Sequence, residues 1–192
     1  MQDPIQVFNA LWQRAIDDSP LKQKSAVCVS TIDAAGFPNS RFVDLKEANE
    51  QGLVFCTYLD SQKGHDLTAN DKAGITIWWD HIGIQARFQG HCARISDDEA
   101  NWHWKSRSRD AQLTTTCFQQ SQPLDELQLL KTKVAEAKLL YAGSDIARPT
   151  NWGGFRLVPT RLELLEFRDD RLHIRTCYWR EGAEWRQGYL QP

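Results

Sequence analysis

Gly154-Phe-Arg-Leu-Val158, Arg161-Leu-Glu-Leu-Leu-Glu-Phe167, Arg171-Leu-His-Ile-Arg-Thr-Cys-Tyr178 and Glu184-Trp-Arg-Gln-Gly-Tyr-Leu190 follow one another at the C-terminal end of the chain. Four runs of strand length joined by short turns predict antiparallel β-structure over about residues 153–192. The turn-like Arg168-Asp169-Asp170 comes before the third run. Alternate residues of a strand share a face, so Arg171, His173 and Arg175 are expected to form one polar row on one surface. Two guanidinium groups and an imidazole in a row suit an anion or an electron-rich ligand.

The same punctuation extends back toward the N-terminus. Ser25 to Thr31 alternates Val and Cys with small residues, Ala34-Ala35-Gly36-Phe37-Pro38 is a turn, and Ser40 to Leu45 is extended again, which predicts a hairpin. Further strands are predicted at Leu53 to Tyr58, at the apolar run Ala73 to Trp79 and, after the turn His81-Ile82-Gly83, at Ile84 to Ile95. Helices fit at four places. Pro4 opens a periodic apolar pattern of Ile5, Phe8, Leu11, Trp12, Ala15 and Ile16, giving a helix over about 4–18. Ser61 to Asn70 is a short helix. Ser96-Asp97-Asp98-Glu99 is a capping box that starts a helix running toward Ser106. Leu124 to Leu140 keeps an apolar face of Leu127, Leu130, Val134 and Leu139. Many strands with a few helical excursions imply a mainly β fold, an antiparallel barrel with helices outside.

Size and charge narrow the function classes. A chain of 192 residues fits one domain spanning 1–192 and buries roughly 70% of its unfolded surface. Net charge is −2, from 23 basic and 25 acidic residues in mixed order, so a nucleic-acid partner is not expected. No run reaches the ~18 apolar residues of a membrane span, and Met-Gln-Asp-Pro is no export signal, so a cytoplasmic protein without a membrane partner is expected. Cys28, Cys56, Cys92, Cys117 and Cys177 are odd in number and lack a Cys-x-x-Cys pair. They read as reduced thiols in packing roles, and no metal site is expected.

Arg41-Phe-Val-Asp-Leu-Lys46, Thr57 with Ser61-Gln62-Lys63, Gln85 with Gly90, Ser106-Arg107-Ser108-Arg109-Asp110, Gln120-Ser121, Arg148-Pro149, Trp152-Gly153-Gly154 and Arg171-Leu172-His173 occur in that order. Over about residues 20–192 this set resembles the pyridoxine (pyridoxamine) 5'-phosphate oxidase family. The resemblance implies an FMN-binding split antiparallel β-barrel that forms a homodimer with FMN at the interface. The implied reaction moves a hydride from the carbon bearing the amine or hydroxyl of a phosphorylated B6 vitamer to flavin N5, with O2 as acceptor. Its products are pyridoxal phosphate, hydrogen peroxide and, from the amine, ammonia.

The resemblance also assigns residues. Arg41, Lys46, Cys56, Thr57, Gln62, Lys63, Gln85, Gln120, Ser121 and Arg175 match FMN-contacting positions; Lys46, His103, Arg107, Arg171 and His173 match substrate positions, with Arg171 and His173 the catalytic pair covering the ring. The chemistry agrees, since FMN needs cations and donors around its phosphate and hydrogen bonds to the flavin edge. Lys46 stands five residues beyond Arg41 and so on the opposite face, unless a bulge or the twist of the sheet brings both to one cavity.

Departures from the family pattern gather around substrate and cofactor. His103 stands for a tyrosine and Ala111 for a serine of the substrate-phosphate site; Gln62 replaces an arginine, Cys56 a tyrosine and Leu165 a tryptophan. The first expected helix begins close to Met1, so the longer N-terminal extension that the resemblance associates with closing over substrate in many members is not expected here. Two alternatives follow: a flavin oxidase or reductase of the same fold acting on another small cyclic or amine substrate, and a non-catalytic flavin- or haem-binding split barrel.

Overall fold

The structure, a computed structural model, describes residues 2–192. Helix α1 spans Pro4–Asp17, with Asp3 as N-cap accepting a 2.7 Å hydrogen bond from the Ile5 amide. Its buried face presents Phe8, whose ring packs edge-on against Phe88 at 4.8 Å and stacks with Trp79 at 5.7 Å. The strands are β1 (Ala26–Ile32), β2 (Pro38–Asn49), β3 (Gly52–Tyr58), β4 (Lys72–Trp79), β5 (Ile84–Arg94), β6 (Trp152–Glu166), β7 (Ile174–Glu181) and β8 (Glu184–Leu190).

All eight strands join in one antiparallel sheet, in the order β3-β2-β1-β4-β5-β6-β7-β8, and a further pairing of β3 with β6 closes the first six into a barrel. Val27, Val29, Leu45, Phe55, Ile75, Ala86, Phe88, Leu157, Leu162 and Leu164 fill it. Alternation explains the filling: one face of each strand points inward and the other is left for helices, solvent or ligand. Strand β6 serves both parts of the fold. Residues 152–157 pair with β3 and close the barrel, while residues 161–166 carry β7 and with it the β7–β8 hairpin outside it.

The sequence divides this segment into two strands, 154–158 and 161–167, but β6 is continuous through Pro159. Its register against β5 shifts between Gln89 and Gly90, which pair with Arg161 and Pro159 and leave Thr160 as the extra residue of a bulge. A bulge tolerates a proline, because the missing N–H costs no ladder bond there.

Helices α2 (Gln62–Ala69), α3 (Asp97–Lys105), α4 (Arg109–Cys117) and α5 (Gln128–Leu140) lie outside the barrel. Ser61, Ser96 and Ser108 each cap a helix by accepting from a backbone amide. Helix α4 is absent from the sequence reading, and α5 starts at Gln128 rather than Leu124. The expected apolar face of α5 does not pack inward: Leu127, Leu130 and Leu139 are exposed, and Ala137 is the residue buried, beside Leu113 of α4 and Trp104 of α3. Among the described residues no helix is long and apolar enough to cross a membrane.

The expected row of Arg171, His173 and Arg175 does not form. Strand β7 begins only at Ile174, and Arg171 has φ +64°. Its amide donates to the Arg168 carbonyl at 3.1 Å, and Asp170 accepts from the Leu172 amide at 3.0 Å and from the Arg168 guanidinium. These local bonds close a turn over 168–172, so the alternation of a strand does not apply to Arg171 and His173.

Candidate functional site: a cationic cavity on the barrel wall

A cavity of about 440 Å³ opens where β2, β3, the start of α2, α4 and the segment after it meet. Arg41, Cys56, Thr57, Gln62, Lys63, Arg107, Gln120 and Ser121 line it, together with Tyr58, Thr115 and Trp152. Eight of the residues singled out in the sequence therefore share one space.

Lys63 is the centre of its polar end. Helix α2 packs so closely on the chain before it that a Cβ at Gly64 would stand 2.1 Å from the Leu59 carbonyl oxygen, and this contact seats Lys63 inward at 6% exposure. The ammonium donates to Gln120 Oε1 at 2.8 Å, Thr57 Oγ1 at 3.0 Å and Ser61 Oγ at 3.3 Å. All three acceptors are neutral. Burial, reinforced by the nearby Arg41 charge and opposed by Asp66, pushes the Lys63 pKa down to about 8. A buried cation held only by neutral oxygens is an anion site by its chemistry.

Arg41 is the second cation. It donates to Thr31 Oγ1 at 2.6 Å and to the Asn39 carbonyl at 3.0 Å, and lies 3.6 Å from Asp66 Oδ2. Asp66 is buried and also accepts from Thr31 at 2.6 Å and from Gln62 Nε2 at 2.8 Å. One carboxylate thus orients both an arginine and a glutamine of the cavity. The sequence reading missed Asp66; its signal was the four-residue spacing from Gln62 on one helix face. The Gln62 amide, in the first turn of α2, donates to Ser121 Oγ at 3.4 Å, and the helix dipole there favours an anion. Ser121 itself holds φ +75°; it and Arg171 are the non-glycine residues with positive φ among those described. Backbone of this kind is costly for a residue with a Cβ and gathers at ligand sites.

The opposite wall is aromatic. The Arg107 guanidinium lies over Trp152 at 5.1 Å and donates to Thr115 Oγ1 at 3.0 Å and to the Ala111 carbonyl at 3.3 Å, while its buried Nε has no partner. Tyr58 donates to the Thr115 carbonyl at 2.6 Å. Cys56 is a half-buried thiol whose pKa desolvation pushes up to about 12, against the opposing charges of Lys46 and Arg107.

The remaining site residues lie elsewhere. The register of β2 against β3 does shift between Leu45 and Glu47, at Lys46, but Lys46 stays outside the lining, with its ammonium 2.6 Å from Asp44 Oδ2. His103 is on α3 and turns its Nε2 toward Glu47 Oε1, 3.5 Å away, rather than into the cavity. Gln85 and Arg175 flank Leu165 in register, at the opposite end of β6 from the cavity. Arg175 donates to Glu163 Oε1 at 2.9 and 2.8 Å and to the Gln191 carbonyl at 2.9 Å. His173 Nδ1 accepts from the Arg168 amide at 3.1 Å, so the neutral ring carries its proton on Nε2. Within one chain, then, Gln85, Arg171, His173 and Arg175 all lie outside the lining of the cavity.

Comparison with known proteins bears on both groups. Residues 15–141 match the family described as pyridoxamine 5'-phosphate oxidase, and residues 152–192 match the pyridoxine 5'-phosphate oxidase C-terminal dimerisation region. A pyridoxine/pyridoxamine 5'-phosphate oxidase of Myxococcus xanthus is 37% identical over 190 residues, covering 99% of this chain and 92% of that protein. One from Thermosynechococcus vestitus is 35% identical over 191 residues, covering 100% and 90%. Among solved structures, PhzG from Burkholderia lata in complex with tetrahydrophenazine-1-carboxylic acid superposes with a TM-score of 0.93 at 28% identity, covering 100% of this chain and 94% of that one. An FMN-binding, pyridoxamine 5'-phosphate oxidase-related protein of Nostoc punctiforme has the same fold, with a TM-score of 0.79 at 20% identity.

Proposed function

The chain belongs to the pyridoxamine 5'-phosphate oxidase family, and from that premise we propose that it is an FMN-dependent oxidase of a phosphorylated B6 vitamer. Pyridoxamine or pyridoxine 5'-phosphate would be converted to pyridoxal 5'-phosphate with O2 as acceptor, by a homodimer in the cytoplasm whose subunits are single FMN-binding domains. The observation that carries the reading is Lys63: a buried ammonium without a carboxylate partner, beside Arg41, Ser121 and the start of α2. That donor set fits the phosphate of FMN, and Thr57, Gln62 and Gln120 offer further polar contacts. FMN, when bound, supplies the two-electron chemistry.

The residues of the chain do the rest. Lys63 and Arg41 neutralise the cofactor phosphate, and Cys56, Tyr58 and Trp152 wall the cavity. Arg107, braced on Trp152 and Thr115, together with Lys46, whose partner Asp44 lines the cavity, meets the phosphate of the substrate. Arg171 and His173 do not line the cavity of their own chain, and the match of residues 152–192 to a dimerisation region supports their reaching the cavity of a second copy. There His173 would present Nε2–H and Arg171 a guanidinium over the substrate ring, with Gln85 and Arg175 on the cofactor side. Orientation and charge stabilisation suffice, with no covalent nucleophile from the protein.

A second reading keeps the flavin cavity and changes the substrate. It is favoured by His103, which points away from the cavity, and by Ala111, which offers Arg107 a carbonyl and no hydroxyl. The substrate phosphate then has Arg107 and Lys46 alone, and the similarity to PhzG, solved with a tetrahydrophenazine carboxylic acid, fits a different cyclic substrate. An aerobic assay of FMN-loaded protein with pyridoxamine 5'-phosphate, following pyridoxal phosphate and peroxide together, decides between them. Formation of both products supports the first reading; bound FMN without turnover supports the second.

A further inference from the structure

Outside the lining of the cavity, three side chains that the proposed reaction does not use converge at α3. Glu99 and His103 stand one helical turn apart and share a face of α3. Glu47 reaches the same place from β2, directly after the register shift at Lys46, where it pairs with Val54. Val54 is buried under Ala100 of α3, so the helix is pinned over this row of the sheet. The imidazole nitrogen of His103 and one carboxylate oxygen of each glutamate all lie within 4.8 Å of one another.

His103 is 1% exposed, and its Nε2 has no hydrogen-bond partner. A buried polar atom in that condition is rare in a folded protein and calls for a cause. The atom it faces is Glu47 Oε1 at 3.5 Å. Two ligands held about 2.0–2.1 Å from a tetrahedral metal ion stand about 3.4 Å apart, which matches that separation. Glu47 is held through its other oxygen, which accepts from Asn49 at 3.2 Å, leaving Oε1 turned to the histidine. Glu99 is fixed by Arg156 through Oε1.

We propose that Glu47, Glu99 and His103 bind one divalent transition-metal ion of the zinc class, on the outside of the barrel between β2 and α3. One imidazole and two carboxylates are a ligand set that zinc-class ions accept, and a water completes the coordination. The cavity of about 660 Å³ beside it, lined by Glu47, Glu99, Asn9 and Arg156, gives the ion an entrance and the water its room. The charges nearby are balanced for a cation. Two carboxylates meet Arg156 alone at bonding distance, because Lys46 is engaged by Asp44. Burial lowers the pKa of the imidazole, against the opposing charges of Glu47 and Glu99. Such an ion would tie α3 to the barrel.

The test uses the full chain stripped with chelator and titrated with Co2+, whose visible absorption reports nitrogen and oxygen coordination. One Co2+ per chain, displaced by Zn2+, is expected, with binding weakened at least tenfold in both His103→Ala and Glu47→Gln and unchanged in His91→Ala. No absorption change in the wild type, or equal affinity in wild type and Glu47→Gln, overturns the site. Glu47→Gln keeps the shape of a half-buried side chain and alone decides the matter if His103→Ala fails to fold.

Discussion

The ammonium of Lys63 and the amide oxygen of Gln120 meet at 2.8 Å inside the barrel-wall cavity, although they are 57 residues apart in the chain. This bond ties the first turn of α2 to the segment after α4, and it joins a cation to a neutral acceptor in a place where a carboxylate would be the ordinary partner. Such an arrangement is poor for stability and good for binding an anion.

Lys63→Met is therefore expected to have opposite effects on the two properties. Cofactor affinity, read from quenching of flavin fluorescence, should fall about ten- to a hundredfold through loss of a charged hydrogen bond. The melting temperature of the cofactor-free protein should hold or rise, since an apolar chain of similar length replaces a buried, unpaired charge. A fall in both would mean that Lys63 is a structural residue.

The depressed pKa of Lys63 sets a pH window. The folded, cofactor-free chain releases this proton near about 8, while the unfolded chain keeps it to 10.5. Between those values the unfolded state binds more protons, so stability from this group rises as pH climbs through the window. An anion binds the protonated form, so FMN affinity should fall over the same range, with proton uptake on binding near pH 9. Calorimetry in two buffers of different ionisation enthalpy measures that uptake; none at pH 9 would remove Lys63 from the phosphate site.

Arg171 carries both a guanidinium and a strained backbone, and substitution can separate them. In Arg171→Gly the φ of +64° becomes comfortable, so thermal stability should hold or improve. The Michaelis constant for pyridoxamine 5'-phosphate should rise about tenfold with FMN still bound, as expected for loss of one charged contact. Lost flavin with unchanged kinetics in the residual holoenzyme would put Arg171 on the cofactor instead.

Asp66→Asn keeps the shape of the carboxylate that Thr31, Gln62 and Arg41 share. Removing its charge should cost about 1–3 kcal/mol of stability in urea unfolding. It should also weaken FMN binding, because Arg41 loses the partner that orients it. Stability lost with unchanged FMN affinity would show that Arg41 is positioned by Thr31 and Asn39 alone.

Much of this molecule is written in short stretches of chain. Alternation of apolar and polar residues marks the strands because a pleated chain turns successive side chains to opposite faces, and the serines at 61 and 96 open helices because a hydroxyl one turn away satisfies a free amide. The order of the motifs from Arg41 to His173 places the chain in its family, and with it the barrel and the cationic cavity.

What lies between distant segments was not legible in this way. Pro159 reads as a break, yet β6 passes through it, since the bulge that accommodates it exists only against β5. His103 reads as a substrate ligand, but the packing of Ala100 on Val54 turns it toward Glu47. Arg171 reads as a strand residue and is a turn residue, because Asp170 takes up the Leu172 amide before β7 begins. The sequence by itself determined most of the strands and helices, the family and the identity of the cavity's three cations, Arg41, Lys63 and Arg107, since each follows from neighbours in the chain or from the order of motifs. Only the tertiary structure decided which side chains share a space and which way each one points, because bulges, turns and the seating of helices on the sheet are settled by contacts between residues far apart in sequence.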